Sequence, residues 1–317
     1  MKQKIDIDCL PNEIISYIDK QLGTTGSHRQ NLLASCHRFF DVIHPDYIIS
    51  ILLKAVVSGK QDVAENIVRK YPYLLVERGD VTDLAGRCFK QISPLEYLMW
   101  SLDVQHTLPA LIDIISSTSD ESPVIFMSSM EQYKSLFNNG ISFTMGGVRF
   151  KERHYNIQPL LQSMDEYMNR YGRISYFISI SSWIKKIGNL QRTLPAHFLQ
   201  HLSNPEQSFS NISSPQEERL VRTEIFYNLL TRRNELIFYR GALNAHLGTH
   251  LALIRAEHPQ FCMGLGGESA PNIEMVSKDQ DWLAMMFEKR LKTFKNLKTE
   301  LPIWFNLAMS SDLSHSI

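Results

Sequence analysis

Apolar side chains recur at helical spacing in a succession of short segments through the first third of the chain, and each segment is cut off before it can bury itself. Pro11 suits a first helical position, where a missing N–H costs nothing. Ile14, Ile15, Ile18 and Leu22 then mark one apolar face. Gly23-Thr24-Thr25-Gly26 breaks that helix, and Ser27 can cap the next, which carries Leu32, Leu33, Cys36, Phe39 and Phe40. Farther on, Leu52, Leu53, Val56 and Val57 predict a helix ended by Ser58-Gly59-Lys60, and Val63, Ala64, Ile67 and Val68 predict its partner. Ser93 can cap and Pro94 can start a helix through Leu95, Leu98, Met99 and Leu102, followed by another through Leu108, Leu111, Ile112 and Ile115. Helices this short draw their stability from packing rather than from propensity. They must therefore lie against one another and against the segments that flank them, and a mainly α fold is expected.

Composition sets outer limits on function. The 33 basic and 33 acidic residues cancel, which argues against a dedicated nucleic-acid binder, since such proteins usually carry a basic excess. The four cysteines, Cys9, Cys36, Cys88 and Cys262, are scattered and form no CxxC pair, so a reducing compartment is the simpler reading. Asp6 and Asp8 interrupt the place where the apolar stretch of a signal peptide would lie. No run of about 18 apolar residues predicts a membrane span.

The polar run Ser116-Ser117-Thr118-Ser119-Asp120-Glu121-Ser122-Pro123 is the clearest break in the chain. It separates residues 119–317 from the chain before it, which divides in turn into residues 1–50 and 51–118. Past it, residues 124–150 are ambiguous: Val124-Ile125-Phe126-Met127 and Ile141 through Met145 could be strands, with Gly146-Gly147 turning into Val148-Arg149-Phe150 as a short β-hairpin. Residues 157–171, 176–187, 194–202, 216–240, 242–257 and 279–298 read as helices, and 262–272 as an irregular loop between the last two.

The first two helices carry Leu10-Pro11-Asn12-Glu13-Ile14, a break, and then Leu33-Ala34-Ser35-Cys36-His37-Arg38-Phe39. This pattern resembles an F-box, the segment by which adaptor proteins dock onto Skp1 in a cullin-type ubiquitin ligase. The resemblance implies that Leu10, Pro11, Ile14, Ile18, Leu33, Cys36 and Phe39 form the Skp1 contact; an ordinary helical hairpin packed on the next unit is the alternative. Residues 51–118, with the helix–Gly turn–helix pattern and Ile92-Ser93-Pro94-Leu95-Glu96-Tyr97, resemble about two degenerate ankyrin repeats, with Ser93 and Glu96 standing for the Thr and His of the ankyrin signature. Farther along, Asn156-Ile157-Gln158-Pro159-Leu160-Leu161, Trp183-Ile184-Lys185-Lys186-Ile187-Gly188, Gln191-Arg192-Thr193-Leu194-Pro195-Ala196-His197 and Pro205-Glu206-Gln207-Ser208-Phe209, taken with the ankyrin-like unit, resemble effector proteins injected by Legionella- and Coxiella-type bacteria. That resemblance implies delivery by type IV secretion into host cytoplasm; it does not imply a reaction.

Residues with chemical potential are few. His246 and His250 stand four apart, with His258 and Cys262 after them, but Leu247 occupies the place where a metalloprotease needs its Glu, and no metal is expected. Gly264-Leu265-Gly266-Gly267 lacks the Lys-Ser/Thr of a phosphate loop. Arg192 and His197 could line a site, or Pro195 could simply start a helix that neighbouring polar groups cap. Cys262 stands in no known cysteine-protease context. Trp183, Arg192, Tyr227 and Tyr239 read as exposed anchors for a partner. Lys289-Arg290, Lys292, Lys295 and Lys298 read as a basic stripe, solvated or touching an anionic membrane, opposite Met285, Met286, Leu291, Phe294 and Leu297.

These readings favour a mainly α effector with an F-box-like hairpin, ankyrin-like helix pairs and a helical C-terminal domain. It would dock host Skp1 and its cullin ligase and present a host protein for ubiquitination, with no catalytic residue and no cofactor of its own. The alternatives are an enzyme acting on a host protein through residues 124–300, and an ankyrin-like scaffold with no link to a ligase.

Overall fold

The computed structural model describes residues 37–118, 122–173, 175, 178, 179 and 182–203, four short strands between 225 and 264, and residues 273–309. The chain is mainly α-helical with a small antiparallel sheet. Most of the F-box-like residues, Leu10, Pro11, Ile14, Ile18, Leu33 and Cys36, lie outside the described residues, and of Phe39 only the backbone is placed, on the first described helix.

Helix α1 (His37–Val57) runs unbroken into the core, where Leu52, Leu53 and Val56 are buried. Gly59, at φ 66, turns the chain into α2 (Gln61–Lys70). A Cβ at Gly59 would lie 2.7 Å from the Gln200 amide nitrogen, which donates to the Gly59 carbonyl at 3.1 Å. After a 3₁₀ turn (Pro72–Leu75), strands β1 (Gly79–Thr82) and β2 (Cys88–Ile92) form a hairpin. The capping expected at Ser93 is complete. Its hydroxyl accepts from Glu96 N at 3.0 Å, Glu96 Oε2 accepts from Ser93 N at 3.0 Å, and α3 (Pro94–Ser101) begins on Pro94. Leu102 ends α3 in the left-handed region, at φ 64. Helix α4 (Thr107–Thr118) follows as the periodicity predicts.

The polar break lies between α4 and α5 (Ser122–Asn139). Val124 through Met127, expected as a strand, begin this helix: Ile125 is buried and Val124 and Met127 face outward. A contiguous apolar run does not distinguish a strand from a buried helix segment, and here the helix prevails. The second half of the same expectation holds. Strands β3 (Ile141–Met145) and β4 (Val148–Glu152) pair through Gly146 and Gly147, both at positive φ, the conformation a two-residue hairpin requires. The sheet order is β1-β2-β3-β4, so two strands come from each side of the polar break.

Helix α6 (Gln158–Arg170), a π-helical turn (Trp183–Gly188) and helix α7 (Ala196–Ser203) come next. Residues expected as helix within 216–240 include β5 (Ile225–Asn228) and β6 (Arg233–Leu236). Those expected within 242–257 include β7 (Leu253–Ile254), and the expected loop 262–272 contributes β8 (Met263–Gly264). These form a second sheet in the order β6-β5-β8-β7. Helix α8 (Ile273–Met309) is longer than the predicted 279–298. It packs on α4, α5 and α6 and buries Trp282, Leu283, Met286, Phe294 and Leu297. The interior also holds an aromatic group in which Phe89, Tyr97, Trp100, Phe143 and Tyr155 meet largely edge-to-face or tilted.

Candidate functional site

Two clusters of charged and polar side chains are enclosed in this core. The first is built on the β1–β2 hairpin. Asp83 and Arg87 flank its turn, and their side chains are 1% and 4% exposed. Arg87 Nε donates to Asp83 Oδ2 at 2.7 Å, and Nη1 donates to the Thr193 carbonyl at 2.8 Å. The other Asp83 oxygen accepts from the backbone N–H groups of Ala85 and Arg87 at 3.0 and 2.9 Å. The guanidinium lies 4.9 Å from the Trp100 ring and 5.4 Å from the Tyr155 ring, within cation–π range. Burial, the largest single influence, pulls the Arg87 pKa down, but Asp83 together with the Tyr97 and Tyr155 hydroxyls outweighs it and the net shift is upward. Burial, with Asp83 nearby, pushes the Tyr97 hydroxyl well above its ordinary range, and burial also raises that of Tyr155. A buried charge is tolerable only when paired and hydrogen-bonded; Arg87 meets that condition within one hairpin.

The second cluster joins distant parts of the chain. Asp103 follows the left-handed Leu102, and its carboxylate accepts from Thr107 N at 3.4 Å at the start of α4. Helix α7 brings His197 and His201 to it, and α8 brings Arg290. His197 Nδ1 lies 3.9 Å from Asp103 Oδ2, both side chains being 3% exposed. The His201 ring is 6.0 Å from His106 and 5.9 Å from Trp282. Arg290 Nη1 donates to the Leu102 carbonyl at 3.3 Å, and its guanidinium lies 4.9 Å from the Phe198 ring. Gln105 and Thr293 hydrogen-bond across the same α4–α8 seam. Burial, then the positive charge of Arg290 and the neighbouring imidazoles, holds His197 well below the usual histidine range, so it is neutral at pH 7.

Segment 191–201 links the clusters, since Thr193 belongs to the first and His197 to the second. Arg192 and His197, paired in the sequence reading as a possible site, part company here. His197 points into the core, while the half-buried Arg192 reaches Asn189 Oδ1 at 3.3 Å. Pro195 immediately precedes α7, and its carbonyl accepts from Phe198 and Leu199 N. Trp183, read as exposed, is fully buried against Tyr167. Arg290, read as part of a basic stripe, is fully buried, whereas Lys289, Lys292, Lys295 and Lys298 are exposed. Opposite them Met286, Phe294 and Leu297 are buried as expected, and Met285 and Leu291 only partly. The sequence reading missed Asp83, Arg87 and Asp103 as functional candidates. The Asp83–Arg87 spacing across a Gly-containing turn is the one local signal that could have found a pair.

Among the described residues no group of three or more His, Cys, Asp or Glu side chains is set to hold a metal ion; His246, His250, His258 and Cys262 lie outside them, as do Cys9 and Tyr239. No described helix is long and apolar enough to cross a membrane. Chemically, both clusters hold a guanidinium against aromatic rings, away from solvent, and the second adds the neutral imidazole of His197. They are suited to fixing the approach of hairpin, α4, α7 and α8.

Residues 159–301 match the model of a family described as the CBUA0006 C-terminal domain. The chain is 32% identical over 218 residues to the uncharacterized protein CBUA0006 of Coxiella burnetii, an alignment covering 64% of this chain and 61% of that relative. No solved structure matches the chain. The matched region carries His197, His201 and Arg290, while Asp83, Arg87, Asp103 and His106 precede it. Both polar clusters therefore join the matched region to the helices and hairpin before it.

Proposed function

We propose that the chain is a bacterial effector acting as an F-box-type adaptor in host cytoplasm. The segment around Leu10, Pro11, Ile14, Ile18, Leu33, Cys36 and Phe39 docks host Skp1 of a cullin ligase, and the helical body presents a host protein for ubiquitination. The observation that carries this reading is the continuity of α1 from His37 to Val57. Its first turn contains Arg38-Phe39-Phe40 of the F-box-like pattern, and its last turns are locked in the core by Leu52, Leu53 and Val56. The last residues of that pattern thus lie on a helix anchored in the core, an arrangement suited to holding a bound target at a defined distance from the ligase. Two further points support the reading. The order helix, helix, hairpin, helix, helix over residues 51–118 suits ankyrin-like pairs, and the similar protein comes from Coxiella burnetii.

The test is capture of Skp1 from host lysate by the full chain, with the double substitution Leu10→Ala/Pro11→Ala as the comparison. Truncating anchors at a hot spot costs about 2 kcal/mol or more, equivalent to roughly thirtyfold weaker binding. Capture by the wild type and its loss in the variant are expected. Equal capture by both, or none by either, removes the adaptor reading.

A further inference from the structure

We propose that the outer edge of β4 takes up an extended acidic peptide segment as a fifth strand of the first sheet. The proposal is independent of Skp1 docking: it concerns a different surface and stands or falls by itself. β4 ends the strand order β1-β2-β3-β4, and among the described residues no strand pairs with its outer edge. The register places Arg149 opposite Thr144 and Lys151 opposite Ser142, with Phe150 opposite the buried Phe143. Because side chains alternate along a strand, Arg149 and Lys151 lie on the solvent face and Phe150 on the core face. Phe150 stacks on Phe143 at 5.3 Å. Arg149, Lys151 and the following Arg153 are exposed, and none forms an ion pair among the described residues. Val148, on the core side of the strand, is nevertheless 57% exposed.

Charge decides which occupant fits. Charged side chains on an edge strand ordinarily discourage pairing with another copy of the same strand, and like charges brought opposite one another are destabilising. The same side chains favour a strand of opposite sign. The other solvent-facing cation of this sheet, Lys90 on β2, is already matched by Asp80 at 2.7 Å, so the unmatched positive charge is concentrated at the β4 edge. A segment alternating acidic and apolar residues would set its carboxylates beside Arg149 and Lys151 and its apolar side chains beside Val148, while its backbone completes the open ladder. Strand addition of this kind draws affinity from main-chain hydrogen bonds and specificity from alternate side chains.

The test uses the full chain and a fluorescent peptide of about eight residues alternating Val and Glu, read by anisotropy. Saturable binding is expected. It should weaken at least about tenfold in Arg149→Glu/Lys151→Glu, whose exposed positions leave the circular dichroism spectrum unchanged. It should weaken comparably when a central residue of the peptide is replaced by Pro, which removes a ladder donor. No binding by the wild type, equal binding by the charge-reversed variant, or equal binding of a Val/Lys peptide overturns the proposal. Undiminished binding of the Pro-containing peptide overturns strand addition as the mode. Binding to anionic phospholipid vesicles with none to the peptide assigns the charge to a membrane surface and overturns it as well.

Discussion

The two buried arginines solve one physical problem by different routes. Arg87 finds its carboxylate four residues away, in the same hairpin turn, and that carboxylate is itself held by two backbone N–H groups. Arg290 reaches a backbone carbonyl 188 residues earlier in the chain, beside the His197 imidazole that burial keeps neutral. The first cluster is largely assembled by local chain geometry; the second comes into being only when α4, α7 and α8 meet. Local pairing lets a charge be buried early and cheaply. Long-range pairing makes the charge a check that the correct elements have come together.

The most severe test of that contrast is to cut the chain. A fragment of residues 51–118 keeps Asp83 and Arg87 but loses Thr193, Tyr155, β3 and α8. It is expected to show low helicity and no cooperative melt by circular dichroism; a sharp two-state transition would show that the hairpin cluster is self-sufficient. In the intact chain, Asp83→Ala leaves an arginine that stays charged and is buried without its partner. Breaking such a pair costs about 3–5 kcal/mol, measured by urea denaturation, and the double variant Asp83→Ala/Arg87→Met should recover part of that loss. Arg290→Met preserves apolar bulk over Phe198 but deprives the Leu102 carbonyl of its donor, for about 1–3 kcal/mol. A cost for Arg290→Met equal to that of Asp83→Ala would erase the distinction between the two clusters.

Protonation of a histidine probes the second cluster. His197 is neutral in the fold and gains a proton on unfolding near pH 6.5. Its depressed pKa means that stability is fully present above that pH and is lost as pH falls toward the folded value. The slope approaches about 1.4 kcal/mol per pH unit for one proton. Melting temperature should therefore drop between pH 7.5 and pH 5.5, and His197→Gln should flatten the profile. Glu96 and Glu152, whose carboxyl pKa values burial raises, act in the opposite direction at lower pH, because the folded state binds their protons more readily. An unchanged profile in the variant would assign the pH dependence elsewhere.

What could be read in the sequence follows the same division between local and distant causes. The end of α1 and helices α2 to α4 were legible because each carries its own stop or start: Gly59, the Ser93–Pro94–Glu96 box, and clean three- and four-residue spacing; that α1 runs from His37 through what read as two separate helices was not. The β3–β4 hairpin was legible from Gly146-Gly147. Val124 through Met127 misled because four contiguous apolar residues carry no period, and only the packing of Ile125 decides for a helix. Residues 225–228, Ile-Phe-Tyr-Asn, are rich in the β-branched and aromatic types that suit strands, yet the helical spacing around them dominated the reading. Arg290 sat among lysines at helical spacing and looked like one more surface charge. Its burial depends on Leu102 and Phe198, neither of which is near it in sequence. The approach of Asp103 and His197 was hidden for the same reason: the two carry no shared motif and meet only where α7 packs against the turn after α3.

Helix α8 also has a consequence in time. Leu102 and Arg290 are separated by 188 residues. At a synthesis rate of roughly 5–20 residues per second, that interval is on the order of 10–40 s. As each is made within that interval, the faces of α4, α5 and α6 that later cover Trp282, Phe294 and Leu297 are apolar and without their cover. A nascent chain of this kind carries an open seam for much of its own synthesis, so its yield in a cell is set by what occupies that seam before α8 arrives.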